Sequence, residues 1–103
     1  MELFAQRKGH VVRIKMVGEI DHHTARDTRA ALDGVLKDKS IMELQLDMKG
    51  VTFMDSSGIG MILGRYKVLS ARGGKMAIYN PNTHVDKILK MTGVYNVVAR
   101  KSE

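Results

Sequence analysis

The sequence has no cysteine and no tryptophan, a single proline, and only two phenylalanines and three tyrosines among its 103 residues. Without cysteine there is no disulfide framework, no thiolate metal site and no cysteine nucleophile. Aromatics at 5% of the chain are too few for a platform on which nucleic-acid bases stack. Long apolar runs are missing as well, so no segment reads as a membrane-spanning helix. The opening Met1-Glu2-Leu3-Phe4-Ala5-Gln6-Arg7-Lys8 lacks the order of a signal peptide, and the expected compartment is the cytoplasm. What remains is ordinary for one globular unit: 44% hydrophobic and 27% charged residues. A chain of this length buries about 65% of its unfolded surface without staples. A single domain over residues 1–103 is expected, with no repeat or linker.

The one unusual quantity is charge. Lys and Arg number 17 against 11 Asp and Glu, a formal net of +6. Residues 51–103 hold eight basic side chains (Arg65, Lys67, Arg72, Lys75, Lys87, Lys90, Arg100 and Lys101) and three acidic ones. They form no run longer than two, which is the pattern of a solvated surface. The surplus still raises nucleic acid, anionic lipid or an acidic protein as partner classes.

Hydrophobic spacing indicates the elements. Val12, Ile14 and Met16 alternate with Arg13 and Lys15, the period of a half-buried strand, and Leu3 to Lys8 is a weaker strand joined to it by a Gly9-His10 turn. Asp21 to Leu36 has helical spacing, with Ala25, Thr28, Leu32, Val35 and Leu36 on one stripe. Either Asp21 or Thr24 caps it, the latter with Asp27 three residues on. Met42, Leu44, Leu46 and Met48 mark the clearest strand. A second helix runs from Asp55 to about Ala71 with Ile59, Ile62, Leu63, Tyr66 and Leu69 inward, stopped by Gly73-Gly74. Lys75 to Tyr79 is a strand, Asn82 caps a short helix with Val85, Ile88 and Leu89 inward, and Val94 to Ala99 is the last strand. Strands alternating with helices predict an α/β fold with a mostly parallel sheet. The strict polar alternation of the central strand predicts helices on one face and a wet opposite face. The eight methionines fall mostly on core positions, where adaptable packing accounts for them.

Two turns then lie beyond the carboxyl ends of neighbouring strands, where open α/β sheets place their sites. They are Gly18-Glu19-Ile20-Asp21-His22-His23-Thr24 and Phe53-Met54-Asp55-Ser56-Ser57-Gly58-Ile59-Gly60. A serine-hydrolase elbow needs glycine two residues before the nucleophile, but Met54 and Asp55 stand there for Ser56 and Ser57. A phosphate-cradling loop needs a lysine that the second turn lacks before Lys67, although the helix's first N–H groups leave anion or nucleotide binding open. Adjacent histidines on a helix point about 100° apart, so His22 and His23 do not form a metal pair, and no cofactor or metal is expected. His10 and His84 read as surface residues. The third reading makes a serine hydroxyl a substrate: at a helix start it is exposed, and phosphorylation adds about −1.5 to −2 charges that the helix dipole tolerates. A binding surface there does not tolerate it, which makes a switch.

The segments Gly18 to Ala25, Phe53 to Gly60 and Ile62-Leu63-Gly64-Arg65-Tyr66-Lys67, with Met91-Thr92-Gly93, resemble the anti-sigma factor antagonists of the STAS family. Asp-His-His-Thr together with Leu-Gly-Arg-Tyr-Lys narrows the resemblance to the sporulation branch. The resemblance covers nearly the whole chain and implies a STAS-type βα superhelix, a mixed and mostly parallel sheet of four to five strands with helices on one face. It implies a non-enzymatic partner-switching protein, monomeric when free. The unmodified form binds a dimeric, nucleotide-bound anti-sigma factor serine kinase and releases the sigma factor. Phosphorylation of Ser56 ends that binding and a serine phosphatase restores it. The implied contact residues are Asp21, His22, Thr24, Asp55, Ser57, Gly58 and Gly60, with Ser57 and Thr52 as rival acceptors. Family members continue past the last strand into a further helix, which is expected to be short or absent here. The sporulation antagonists are also typically acidic. The basic surplus is expected to attract an acidic kinase face, an attraction that a phosphate on Ser56 weakens.

Overall fold

The computed structural model describes Met1–Glu103 and contains five strands and three α-helices. Strand β1 (Glu2–Lys8) pairs antiparallel with β2 (Val11–Ile20). Helix α1 (Ala25–Leu36) leads to β3 (Glu43–Met54), parallel to β2. Helix α2 (Ser56–Ala71), β4 (Lys75–Tyr79), α3 (Thr83–Met91) and β5 (Ala99–Lys101) follow, and the sheet order is β1-β2-β3-β4-β5. Parallel strands laid down consecutively with right-handed crossovers put every crossover on the same face. The expected one-sided arrangement is therefore the observed one. Val12, Ile14, Met16, Leu44, Leu46, Met76 and Ile78 form the buried side with Leu32, Ile62, Leu69 and Leu89 from the helices. The opposite face carries Arg13, Lys15, Gln45, Asp47 and Tyr79, all at least partly exposed. Arg13 lies 4.2 Å over the Tyr79 ring and pairs with Asp47.

Strand β3 is longer than its alternation predicts. Lys15 faces Asp47 but Val17 faces Gly50, and Gly18 faces Val51 but Glu19 faces Phe53. Each step places one extra residue in β3, a pair of bulges that re-phases its side chains. Burial accordingly runs Leu44, Leu46, Met48 at a spacing of two and then Val51 and Met54 at three. Backbones approach closely here: a Cβ on Gly50 would sit 2.9 Å from the Met16 carbonyl oxygen, and Gly18 has φ +127°. Both positions require glycine.

Three other expectations need correction. Val94–Asn96 is a 3₁₀ turn rather than strand, and β5 begins only at Ala99. Gly93 at φ +79° turns the chain, and Val94 and Val98, both buried, are linked by the Val98 N–H donating to the Val94 carbonyl at 3.0 Å. In α2, Leu63 and Tyr66 pack against the core as expected, and Met61, which the predicted stripe omitted, is buried with them. The Thr24–Asp27 capping box does not form, since Thr24 makes no side-chain cap bond. The predicted cap of α3 is present, with Asn82 Oδ1 accepting from the Val85 N–H at 2.8 Å. Five of the eight methionines, Met16, Met48, Met54, Met61 and Met76, lie in the core, as their positions predict. No helix is long and apolar enough to cross a membrane.

Candidate functional site

The two bulges take up two extra residues of β3, so that its end meets the end of β2. Ile20 faces Met54, and the Asp55 N–H donates to the Ile20 carbonyl at 3.1 Å. The two turns singled out in the sequence are thus joined by strand pairing and by this bond. Each is shorter than its sequence suggests, because Gly18 to Ile20 and Phe53-Met54 belong to the strands.

In the first turn Asp21 does the capping. Its Oδ1 accepts from the N–H groups of His23 at 2.9 Å and Thr24 at 3.0 Å. The Thr24 N–H bond, with that of His23, holds the Asp21 carboxyl below the usual carboxylate range, because both favour the charged form. Thr24 is half-buried and its hydroxyl donates to the Glu19 carbonyl at 2.8 Å while accepting from the Asp21 N–H at 3.0 Å. Thr24 therefore secures the turn. His22 and His23 are exposed, their ring centroids 3.9 Å apart.

In the second turn Asp55 is the N-cap of α2, extended at φ −115°, with Oδ1 accepting from the Ser57 N–H at 2.8 Å. Its carbonyl accepts from Gly58 at 3.0 Å and Ile59 at 3.4 Å. The first donors of the helix are thereby used internally, which removes most of what an anion would bind there. Ser56, first residue of the helix, is exposed, and the cap bond passes from Asp55 to Ser57 and leaves its hydroxyl outside. Ser57 is half-buried. Thr52 is exposed on β3, its hydroxyl 3.4 Å from the Gly18 carbonyl.

The two glycines of the turn differ. Gly58 is buried, and a Cβ there would lie 2.7 Å from Met54 Cγ and 3.0 Å from Ile20 Cγ2. It sets how closely α2 approaches the strand ends and lies beneath the surface. Gly60 is exposed with nothing within 4 Å of its Cβ position. Its own fold gives it no reason to be glycine.

Sequence reasoning missed the neighbourhood of Phe53. This side chain is 40% exposed, and its ring stacks on His84 at the start of α3, centroids 6.4 Å apart. His84 is on the surface as expected. Its partner is invisible in the sequence because 31 positions separate the two. The two turns, Gly18 to Thr24 and Phe53 to Gly60, carry Glu19, Asp21 and Asp55 and no Lys or Arg. The basic surplus therefore lies outside these two turns.

Comparison with known proteins agrees with this geometry. A family model described as the STAS domain matches residues 3–102. An anti-sigma F factor antagonist of Paenibacillus polymyxa is 38% identical over 88 residues, 85% of this chain and 75% of that protein. The solved structure of the anti-sigma factor antagonist SpoIIAA in its unphosphorylated form has a TM-score of 0.84 at 27% identity, covering 96% of this chain and 87% of that one. The Bacillus cell fate determinant SpoIIAA in the phosphorylated form gives 0.76 at 26% identity, over 96% and 90% of the two chains.

Proposed function

The chain belongs to the STAS domain family, and from that premise we propose that it is an anti-sigma factor antagonist switched by phosphorylation of Ser56. The observation that carries this reading is the placement of Ser56: exposed, at the first position of α2, with its hydroxyl outside the Asp55 cap. Ser57 is half-buried and Thr52 sits on a strand, so both are poorer acceptors. The similarity to a protein solved in both phosphorylated and unphosphorylated forms supports the same reading.

In this mechanism the unmodified chain presents Asp21, His22, Ser57 and Gly60 around Ser56 to a dimeric, nucleotide-bound anti-sigma factor serine kinase, and the sigma factor is released. Thr24, Asp55 and Gly58 shape that surface from below through the bonds and contacts described above. The kinase transfers the γ-phosphoryl group of ATP to the Ser56 oxygen, the hydroxyl proton is lost, and ADP leaves. The product carries about −1.5 to −2 further charges beside the carboxylates of Asp21 and Asp55. The helix N-terminus favours a negative charge by about 0.3–1 kcal/mol, so the fold survives. A bound partner must desolvate a dianion with no new donor to meet it, since Asp55 already occupies the Ser57 and Gly58 N–H groups. The partner dissociates and a serine phosphatase resets the chain. The catalytic groups belong to kinase and phosphatase. The chain acts in the cytoplasm, as a monomer when free, without a cofactor.

The test is incubation with the cognate kinase and ATP, followed by mass spectrometry of the labelled peptide. Label is expected on Ser56, with Ser56→Ala holding the kinase constitutively and Ser56→Asp failing to hold it. Label on Ser57 or Thr52, or on no residue, overturns the assignment.

A further inference from the structure

Three unpaired cations of the basic surplus line an apolar groove between two helix ends. Where the end of α1 and the loop after it meet the last turns of α2, Leu36, Lys37, Lys39, Val68, Ala71 and Arg72 line a groove of about 440 Å³. Its floor is apolar. Leu36 is buried, and Val68 is 41% exposed.

Its rim is entirely cationic. Lys37 and Lys39 are exposed and take part in none of the ion pairs of the protein. Arg72 donates only to neutral carbonyls, those of Asp38 at 3.1 Å and Leu36 at 2.8 Å. These bonds pin the loop after α1 to the end of α2, and no carboxylate pairs with the guanidinium. The nearby carboxylates are engaged elsewhere: Asp33 pairs with Arg65 at 3.0 Å, and Asp38 with Arg7 at 2.6 Å. A larger cleft, about 720 Å³, is lined by Arg7, Lys8 and Arg13. There Arg7 is neutralised by Asp38, and Arg13 by Asp47 and Glu103, leaving Lys8 alone.

We propose that the groove between the ends of α1 and α2 is a second docking surface, which receives an acidic protein segment bearing an apolar anchor residue. Three cations and no lining carboxylate select negative charge, and the Leu36–Val68–Ala71 floor selects an aliphatic or aromatic side chain. The groove contains no aromatic residue for base stacking, which argues against nucleic acid. Its concave form suits one inserted side chain better than a planar membrane surface. Val68 and Ala71 follow Ser56 by 12 and 15 residues along α2, which at 1.5 Å per residue places them about 18–23 Å from it. A segment seated there is beyond direct contact with the phosphate, so this surface does not depend on the Ser56 assignment.

The experiment titrates the intact chain with a short fluorescein-labelled peptide of glutamate pairs spaced by leucines, read by fluorescence polarisation and by amide NMR shifts. Saturable binding is expected, with shifts concentrated at Leu36, Lys39, Val68 and Ala71. A loss of at least tenfold is expected in Lys37→Glu/Lys39→Glu and in Val68→Asp. Lys15→Glu/Lys49→Glu, the same charge change on exposed positions of β2 and β3, is expected to alter affinity less than twofold. Thermal melts accompany each variant, and the lysine variant decides the matter if Val68→Asp does not fold. Equal binding of a peptide with serine in place of leucine reduces the effect to diffuse charge and overturns the proposal. So does an absence of binding, or a response at these amides to anionic vesicles or single-stranded DNA but not to the peptide.

Discussion

Gly58 and Gly60 sit two residues apart on α2, and alanine at each is expected to change stability in opposite directions. In a helix, alanine is favoured over glycine by up to about 1 kcal/mol, partly because glycine's unfolded chain is freer. At Gly60 nothing opposes that gain, since the site is exposed and the added Cβ meets no atom within 4 Å. Gly60→Ala is therefore expected to add about 0.5–1 kcal/mol, which for a domain of this size raises the melting temperature by about 3–8 °C. At Gly58 the added Cβ falls 2.7 Å from Met54 Cγ and 3.0 Å from Ile20 Cγ2, and both residues are fully buried with nowhere to retreat. Overpacking of that kind costs about 1–3 kcal/mol, which outweighs the propensity gain. Gly58→Ala is expected to lower stability by about 1–2 kcal/mol. Calorimetric or circular-dichroism melts of the two variants beside the parent measure both signs. A Gly60→Ala variant that melts at or below the parent, or a Gly58→Ala variant at or above it, refutes the reasoning. The same Gly60→Ala protein bears on function. If the glycine stands there to let a partner approach the helix, the more stable variant binds the anti-sigma factor at least tenfold more weakly, the usual trade of stability against function. Equal binding removes Gly60 from the contact surface.

Removal of the α2 cap in Asp55→Ala is expected to cost about 1 kcal/mol in urea denaturation, with Asp55→Asn recovering most of it, since an asparagine oxygen caps nearly as well. Acid is expected to destabilise the fold through three aspartates. Ser40 and then Arg7 hold Asp38 well below the ordinary carboxylate range, Arg100 and then Tyr95 lower Asp86, and the Thr24 and His23 amides lower Asp21. The folded chain binds fewer protons than the unfolded one, so this stabilisation is complete above the unfolded value near about pH 4 and is lost as pH falls through the folded values. Melts between neutral pH and about pH 2 check this, and Asp38→Asn is expected to flatten the decline. A melting temperature indifferent to acid contradicts it.

Residues near one another in sequence carried most of the local structure. The alternation at Val12, Ile14 and Met16, the stripe of Thr28, Leu32 and Leu36, and the caps at Asp55 and Asn82 are short-range patterns, and each appears in the fold. The strand-helix order also determined the one-sided sheet, because consecutive right-handed crossovers have no other face to use. The serine turn was legible too, as a residue set too particular for capping alone.

What tertiary structure decided depends on contacts across the sheet. The bulges of β3 break the period of two after Met48, so Val51 and Met54 do not announce a strand, yet those bulges bring Asp55 to the Ile20 carbonyl. Phe53 found His84 across α2 and β4. Gly58 and Gly60 look interchangeable in a line of letters. One is buried under Met54 and the other faces open space, because helix positions two apart point about 200° apart. Composition fixed the size of the basic surplus and nothing about its location. Only the folded chain, by pairing Arg7, Arg13 and Arg65 with carboxylates and leaving Lys37 and Lys39 free, set unpaired cations beside an apolar floor at the end of α2 farthest from Ser56.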